Sequence, residues 1–160
     1  VKDEFGNKIK SILNGGKTKI GLESTIVDLT DGVSILRPGG ITIEQLEKVL
    51  RRKLKLKNNL KNIKSPGQLG FHYSPGIPVR LNAKYPKKNE AFLQFSGKAK
   101  NKNNYFTLSR KGNMREAAKN LFSILRLIKK KGYSSIAVSK IPNQGLGLAI
   151  NDRLKKASKQ

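Results

Sequence analysis

Two short segments of the sequence carry polar and flexible residues that the packing of a core does not require. The first is EST at residues 23–25, inside an otherwise apolar run where a core strand favours Val or Ile. The second is RPGG at residues 37–40, whose arginine fork matches a phosphate and whose glycines allow close backbone approach. These segments are candidate substrate contacts, and their structural alternatives are cross-strand hydrogen bonding and a plain turn with a surface arginine.

Two further segments are rich in turn-forming residues: one also contains a histidine and a tyrosine, and the other contains closely spaced glycines. SPG at 65–67 and FHYSP at 71–75 place His72 and Tyr73 in a proline-framed loop, and a long rigid loop often covers a functional site. The alternative is a linker that its aromatic residues merely hold in place. GLGL at 145–148 resembles a dinucleotide fingerprint but lacks its third glycine and the later acidic residue, so the pattern does not by itself predict a nucleotide site.

The composition narrows the classes of protein. The chain has 160 residues, of which 36% are hydrophobic, which fits neither a disordered nor a membrane-spanning sequence. No cysteine and a single histidine exclude disulfides, Cys-ligated metals and a histidine cluster. No signal-peptide pattern is present, and we expect a cytoplasmic protein.

The net charge of +24 attracts polyanions, so weak and salt-sensitive RNA binding is expected. The alternative origin of this charge is the lysine-rich composition that an AT-rich genome imposes on any protein. Aromatic residues make up only 6% of the chain, and no RNA-recognition motif with stacked Phe and Tyr is present.

The elements that position the first two segments are a helix, a hairpin and a second helix. Apolar spacing predicts a helix over residues 5–14, through Phe5, Ile9, Ile12 and Leu13. Residues 20–29 and 33–36 are β-rich runs separated by Asp-Gly at 31–32, which indicates a hairpin. A capping-box pattern then begins a helix of about three turns, whose apolar stripe consists of Ile43, Leu46, Val49, Leu50 and Leu54.

The later half of the sequence has α/β organisation. Candidate strands cover residues 78–81, 91–95, 105–108 and 135–138. Asn113 is a candidate cap for a helix whose apolar face runs to Ile128, and a last helix is predicted over residues 149–157. Alternating strands and helices of this kind indicate a small three-layer α/β unit.

In this order and at this spacing, four segments resemble signatures of one enzyme family. They are GLESTIVDL, ILRPGGIT, SPGQLGFHYSP and GLGLAINDRL. They resemble the C-terminal half of threonylcarbamoyl-AMP synthase, the YrdC-like family in its two-domain form. The resemblance implies an α/β fold in three parts: residues 1–55 form the C-terminal part of a YrdC-like catalytic domain, 56–78 a linker covering the active site, and 79–160 a Rossmann-like domain.

The resemblance also implies an activity. That family condenses L-threonine, bicarbonate and ATP to threonylcarbamoyl-AMP and pyrophosphate, for the threonylcarbamoyl modification of adenosine 37 in tRNA. It implies L-threonine contacts from Ser24 and Thr25 and ATP contacts from Arg37, Tyr73 and His72, and it assigns no catalytic residue. Mg²⁺ is expected to accompany the ATP, although the sequence offers no dedicated metal cage.

One part of the family pattern is missing from this sequence. The N-terminal portion of the catalytic domain is not here, so residues 1–55 are too small to enclose ATP and are expected to expose apolar surface. An N-terminal half in trans, tRNA and tRNA-modification proteins are the candidate partners, and no membrane is involved. The alternatives are a basic RNA-binding or partner-docking module without catalysis of its own, and a vestigial product with no activity.

Overall fold

The computed structural model describes residues 1–16, 18–30, 32–57, 66, 73–98 and 103–159, the side chains of residues 3 and 4 excepted. We call residues 1–57 the first unit and residues 73–159 the second unit. Within these ranges no helix is long and apolar enough to cross a membrane.

The first unit is built on a three-stranded sheet with the order β1-β2-β3. Its strands are β1 (Ile26–Asp28), β2 (Ser34–Arg37) and β3 (Lys55–Leu56). β1 and β2 pair antiparallel, as the predicted hairpin requires, and the Asp31 of its turn lies outside the described residues. β1 is much shorter than the predicted strand over 20–29, because the backbone of Glu23 bonds to a turn after β2 instead of to a strand.

The helix α2 (Ile43–Leu50) confirms the predicted capping box. The Thr42 backbone N–H donates to the Gln45 side chain over 2.9 Å, and the Gln45 backbone N–H donates to the Thr42 hydroxyl over 3.3 Å. The predicted length was wrong, because Arg51 adopts the left-handed conformation at φ 50° and ends the helix. Leu54 is therefore not in the helical stripe; it is buried on the way into β3, which pairs parallel with β2.

The predicted helix over residues 5–14 was also wrong. The structure has a single helical turn, α1 (Lys2–Phe5), and a 3₁₀ turn over Gly6–Lys8. The four apolar side chains of the predicted stripe are exposed, among them Leu13 at 97%. A short amphipathic helix needs tertiary packing, which this stripe lacks among the described residues. The expectation that residues 1–55 expose apolar surface is confirmed, since Leu29, Ile41 and Val49 are exposed as well.

The second unit contains a four-stranded sheet, parallel at every pairing, with the order β4-β7-β5-β6. Its strands are β4 (Val79–Arg80), β5 (Glu90–Ser96), β6 (Tyr105–Ser109) and β7 (Ser135–Val138). Its helices are α3 (Met114–Lys130) and α4 (Leu146–Ala157). The sequence predicted each of these strands to within two residues at either end. α3 begins at the predicted cap, where the Asn113 side chain accepts from the Glu116 backbone N–H over 2.9 Å.

This parallel sheet packs against both of its helices on one face, which confirms the predicted α/β class. On one face Leu93 and Val138 pack with Leu121 of α3 and Leu154 of α4 in the main core. The opposite face holds a smaller cluster of Phe92, Ala137 and Tyr105 with Ala83, from the segment that follows β4. The alternation of side chains along parallel strands is therefore used on both faces.

The glycine-rich turn before α4 is shaped by close packing. α4 begins at Leu146, three residues earlier than predicted, so the second glycine of the turn lies inside the helix. A Cβ on Gly147 would lie 2.0 Å from the Pro142 carbonyl oxygen, which no side chain can occupy without a backbone shift. The GLGL pattern therefore has a packing explanation that needs no nucleotide.

We expect Gly147→Ala to lower the free energy of unfolding by about 2 kcal/mol or more, because the overpacking outweighs the helix propensity that Ala adds. The matched control is Gly132→Ala, where a Cβ meets nothing within 4 Å and only the φ of 79° is unfavourable. Its cost is about 1 kcal/mol. Urea denaturation of both variants measures the difference, and equal costs would contradict the packing argument.

Candidate functional site

The EST segment and the turn after β2 are joined backbone to backbone. The Gly40 N–H donates to the Glu23 carbonyl over 2.9 Å. A Cβ on Gly39 would lie 2.4 Å from that same carbonyl oxygen, so only glycine allows this approach. The Thr25 hydroxyl donates to the Ile41 carbonyl and accepts from the Ile41 N–H over 3.2 Å. These contacts fix the EST segment against the RPGG turn.

Arg37 is the last residue of β2 and is buried, with 7% of its surface exposed. Its Nε and Nη2 donate to the Ser24 carbonyl over 3.2 and 2.9 Å, and Nη2 also donates to the Ser24 hydroxyl over 3.3 Å. Its Nη1 donates to the Pro66 carbonyl over 3.2 Å. At most one of the five guanidinium N–H groups remains for a substrate. Arg37 therefore holds the EST segment and the region of Pro66 together.

A second arginine fastens the same segment to the second unit. Arg153 of α4 is only 1% exposed, and its Nε donates to a Glu23 carboxylate oxygen over 3.0 Å. Its Nη2 lies 3.0 Å from the same oxygen without hydrogen-bond alignment, and its Nη1 pairs with Asp152. Asp152 also pairs with Lys156 over 2.8 Å. The buried cation is thus balanced by two carboxylates.

Tyr73 completes this cluster from the end of the proline-framed segment. Its ring lies beneath the Arg153 guanidinium, 4.9 Å from centroid to Cζ, and stacks on Phe122 of α3 at 5.7 Å. Its hydroxyl hydrogen-bonds with the Glu23 carboxylate. A φ of 69° is unusual for a tyrosine, so these contacts compensate for an unfavourable backbone conformation.

The pKa values of the cluster follow from these neighbours. Burial, the largest influence, raises the pKa of Glu23, but its backbone hydrogen bond, Arg153 and the Tyr73 hydroxyl together bring it below the usual 4.5. Burial raises the pKa of Tyr73 above 10.0; Arg153 opposes this effect and Glu23 adds to it. Glu23 is therefore a carboxylate and Tyr73 a neutral phenol at neutral pH.

Comparison with known proteins agrees with the resemblance read from the four segments. The family model described as "Threonylcarbamoyl-AMP synthase, C-terminal domain" matches residues 41–159. The chain belongs to this family. Threonylcarbamoyl-AMP synthases of Pyrococcus abyssi and Bacillus subtilis are 31% and 30% identical to it over 99% of the chain. The chain spans about half the length of these relatives, 52% and 51% respectively.

Solved structures of the Pyrococcus abyssi family member share this fold. The protein in complex with L-threonine superposes with a TM-score of 0.83 at 30% identity, covering 98% of this chain and 52% of that one. A variant in which a neighbouring histidine and tyrosine are both replaced by alanine gives a TM-score of 0.81 at 28% identity, over 98% and 51%. These likenesses confirm the α/β fold class predicted for this family member.

The structure brings together most of the predicted site residues of this family member. Ser24, Thr25 and Arg37 lie at one junction, and Tyr73 reaches it through Glu23; His72 lies outside the described residues. Their assignment to L-threonine or ATP stays a prediction. The described part of the chain has no group of three or more His, Cys, Asp or Glu side chains that could hold a metal.

Sequence reasoning missed Glu23 and Arg153 as a pair. Glu23 was noted only with its two hydroxyl neighbours, and Arg153 lay unassigned in GLGLAINDRL. One sequence signal was available for Glu23, a carboxylate in an apolar run, whereas Arg153 follows Asn151 and Asp152 in an ordinary polar stretch of its helix. The sequence does not identify the two as partners, because they are 130 positions apart.

We expect Arg153→Met to lower the free energy of unfolding by about 3 kcal/mol, because two carboxylates lose the cation buried between them. The matched control is Arg115→Met on the exposed surface of α3, with a change within about 0.5 kcal/mol. Urea unfolding of both variants measures the costs. A loss for Arg153→Met no larger than the control's would contradict a stabilising role for this contact.

The lowered pKa of Glu23 predicts a pH-dependent contribution. Because its pKa in the folded state lies below the unfolded value, the charged carboxylate stabilises the fold above pH 4.5, and this is lost as pH falls through the folded-state pKa. Glu23→Gln is expected to lower the free energy of unfolding by about 1 kcal/mol at pH 7 and by much less in acid. Urea unfolding across this pH range tests it, and a constant difference would contradict it.

Proposed function

We propose that this chain is the C-terminal half of a threonylcarbamoyl-AMP synthase. In the complete enzyme, L-threonine, bicarbonate and ATP condense to threonylcarbamoyl-AMP and pyrophosphate, and the product serves the modification of adenosine 37 in tRNA. Residues 1–57 contribute one wall of the active site and an N-terminal half contributes the rest. The observation that carries the proposal is the family match over residues 41–159 together with a span of about half of the relatives' length.

The junction of EST with the RPGG turn supports a substrate role for Ser24. Its carbonyl and hydroxyl both accept from Arg37, so the hydroxyl is held in one orientation and its own hydrogen stays available. L-threonine carries an ammonium, a carboxylate and a hydroxyl, any one of which a fixed hydroxyl can contact. The Pyrococcus abyssi relative is known as a complex with L-threonine, which supports this substrate class.

Arg37 acts chiefly as a positioning residue in this proposal. Four of its hydrogen bonds go to Ser24 and Pro66, so its remaining N–H and its charge are what it offers to a phosphate. Adenylation develops negative charge as pyrophosphate leaves, and a buried fixed cation stabilises such charge. A Mg²⁺ ion would be held mainly by the phosphates of ATP and would neutralise part of their charge.

The proline-framed segment supports a covering role for Tyr73 and His72. Tyr73 is fixed by Arg153, Phe122 and Glu23, so the segment ends at a defined point beside the junction. His72 and Tyr73 form the only His-Tyr pair of this sequence, and a neighbouring pair of these types is replaced by alanine in one solved relative. A segment that covers the site excludes water from a labile mixed anhydride.

The RNA-binding alternative has less support. Its basis is the net charge of +24, which lysine-rich composition explains equally well, whereas the family match concerns a specific enzyme. Contact with tRNA or with tRNA-modification proteins remains compatible with the proposed enzyme. A cytoplasmic location is part of the same proposal.

The experiment is pyrophosphate release with ATP, L-threonine and bicarbonate, using the chain alone and the chain fused behind the N-terminal half of a relative. We expect release from the fusion and none from the chain alone. Arg37→Ala in the fusion is expected to lower the rate at least about 100-fold, because both the fixed Ser24 and the cation are lost. Arg37→Lys retains the positive charge but lacks the forked guanidinium. Its rate is expected to lie between those of the unmodified fusion and the Arg37→Ala fusion.

The matched control is Arg110→Ala, which removes the same charge from an exposed turn of the second unit and leaves the rate within about twofold. Circular dichroism of each variant excludes unfolding as the cause of a lost rate. Full activity of the Arg37→Ala fusion would contradict the role of Arg37. A fusion that binds none of the substrates would contradict the proposed function.

A further inference from the structure

The second unit has a crevice that the proposed reaction does not use. β4 and β7 are adjacent parallel strands, so their carboxyl ends lie at the same edge of the sheet. The chain leaves β4 toward the face that Ala83 covers, whereas it leaves β7 toward the face that α4 covers. Where neighbouring parallel strands connect to opposite faces, a crevice opens at their carboxyl ends, and α/β proteins bind ligands there.

A cavity of about 400 Å³ occupies this crevice. That volume lies within the roughly 300–1,000 Å³ typical of small-molecule sites. Its inner part is apolar, with Leu154 and Val138 exposed by only 2% and 1%. The polar residues that line it are Asn82, Ser139, Lys140, Asn143, Asn151 and Lys155.

Several of these polar groups are held in place by the fold. The Asn151 amide donates to the Ile141 carbonyl over 3.3 Å and to the Asn143 side chain over 3.1 Å, which fixes the segment after β7. The Ser139 hydroxyl accepts from the Phe95 N–H over 2.9 Å, so its own hydrogen is left to donate. The cavity thus has preorganised hydrogen-bonding groups along one wall.

The charge of the cavity identifies the ligand class. Lys140 and Lys155 both line it, no acidic side chain does among the described residues, and neither ammonium pairs with a carboxylate there. A phosphomonoester carries about two negative charges at neutral pH, which two lysines neutralise, whereas a carboxylate carries one. An apolar inner surface favours a ligand with an apolar or flat group beside its phosphate.

We propose that this cavity binds a small phosphomonoester with a flat apolar group, of the class of a ribonucleoside 5′-monophosphate. Lys140 and Lys155 bind the phosphate, the Asn82 side-chain amide and the Asn151 Oδ1 orient the polar part, and the apolar inner wall receives the ring. This site is separate from the junction of Ser24 and Arg37, and it does not rest on the proposed reaction.

Two faces of α4 have different roles, one toward the cavity and one toward the first unit. Asn151, Leu154 and Lys155 lie three and four residues apart, so they share the face toward the cavity. Arg153 faces the first unit instead and holds Glu23. A ligand in the cavity therefore contacts the same helix that fastens the two units together.

The test is a titration of the ¹⁵N-labelled full chain with adenosine 5′-monophosphate, followed by NMR and by calorimetry. We expect saturable binding, with chemical-shift changes at the backbone amides of Asn82, Ser139, Lys140 and Asn151. Lys140→Ala and Lys155→Ala are each expected to raise the Kd at least about tenfold, since each removes one charge-assisted contact to the phosphate. Both residues are exposed, so both variants should fold.

Lys130→Ala is the matched control, because it removes one exposed lysine at the end of α3 and is expected to change the Kd less than twofold. Adenosine and inorganic phosphate are titrated separately, and each is expected to bind at least about tenfold more weakly than the nucleotide. Absence of binding would overturn the proposal. So would shift changes confined to residues 23–41, equal losses in the Lys130→Ala control, or phosphate binding as tightly as the nucleotide.

Discussion

The ion pair between Arg153 and Glu23 is the interaction on which the arrangement of this molecule depends. A guanidinium that is 1% exposed costs several kcal/mol to desolvate unless carboxylates and hydrogen bonds compensate it. Glu23 supplies that compensation from the first unit, and Tyr73 adds an aromatic face and a hydroxyl. Because the Glu23 carbonyl also accepts from Gly40, one residue links the last helix of the second unit to the turn beside Ser24.

The two buried arginines hold different parts of this junction in place. Arg153 fixes the first unit against the second, and Arg37 fixes the EST segment against Pro66. Both guanidinium groups are buried, and Arg37 uses four of its five N–H donors in hydrogen bonds within the protein. Arg37 stands in a motif typical of phosphate contacts, but it also positions the protein itself. Its removal would disturb the position of Ser24 even where no phosphate is bound.

How far the sequence predicts the structure differs between the two units for a physical reason. α3 has a cap, an apolar face and a basic end within one segment, so local signals suffice, and they predicted it correctly. Residues 5–14 have a similar apolar spacing, but no described partner covers Phe5 or Ile12, so the helix does not form. The same contrast between local signals and tertiary contacts holds for the residues of the site. Ser24 and Arg37 stand in recognisable motifs, whereas the pairing of Glu23 with Arg153 is a tertiary contact that no periodicity encodes.

The long sequence separation of these contacts has a consequence for how the chain folds. The Glu23 carboxylate pairs with Arg153, 130 residues later in the sequence. The Glu44 carboxylate accepts from the Gly145 N–H, 101 residues away. Closing such long loops is entropically costly, so these contacts form late, after the local elements of each unit. During synthesis the second unit must be almost complete before Glu23 of the first unit can pair with Arg153. The junction beside Ser24 is thus among the last parts of the protein to mature, and its carboxylate is solvated until α4 has emerged.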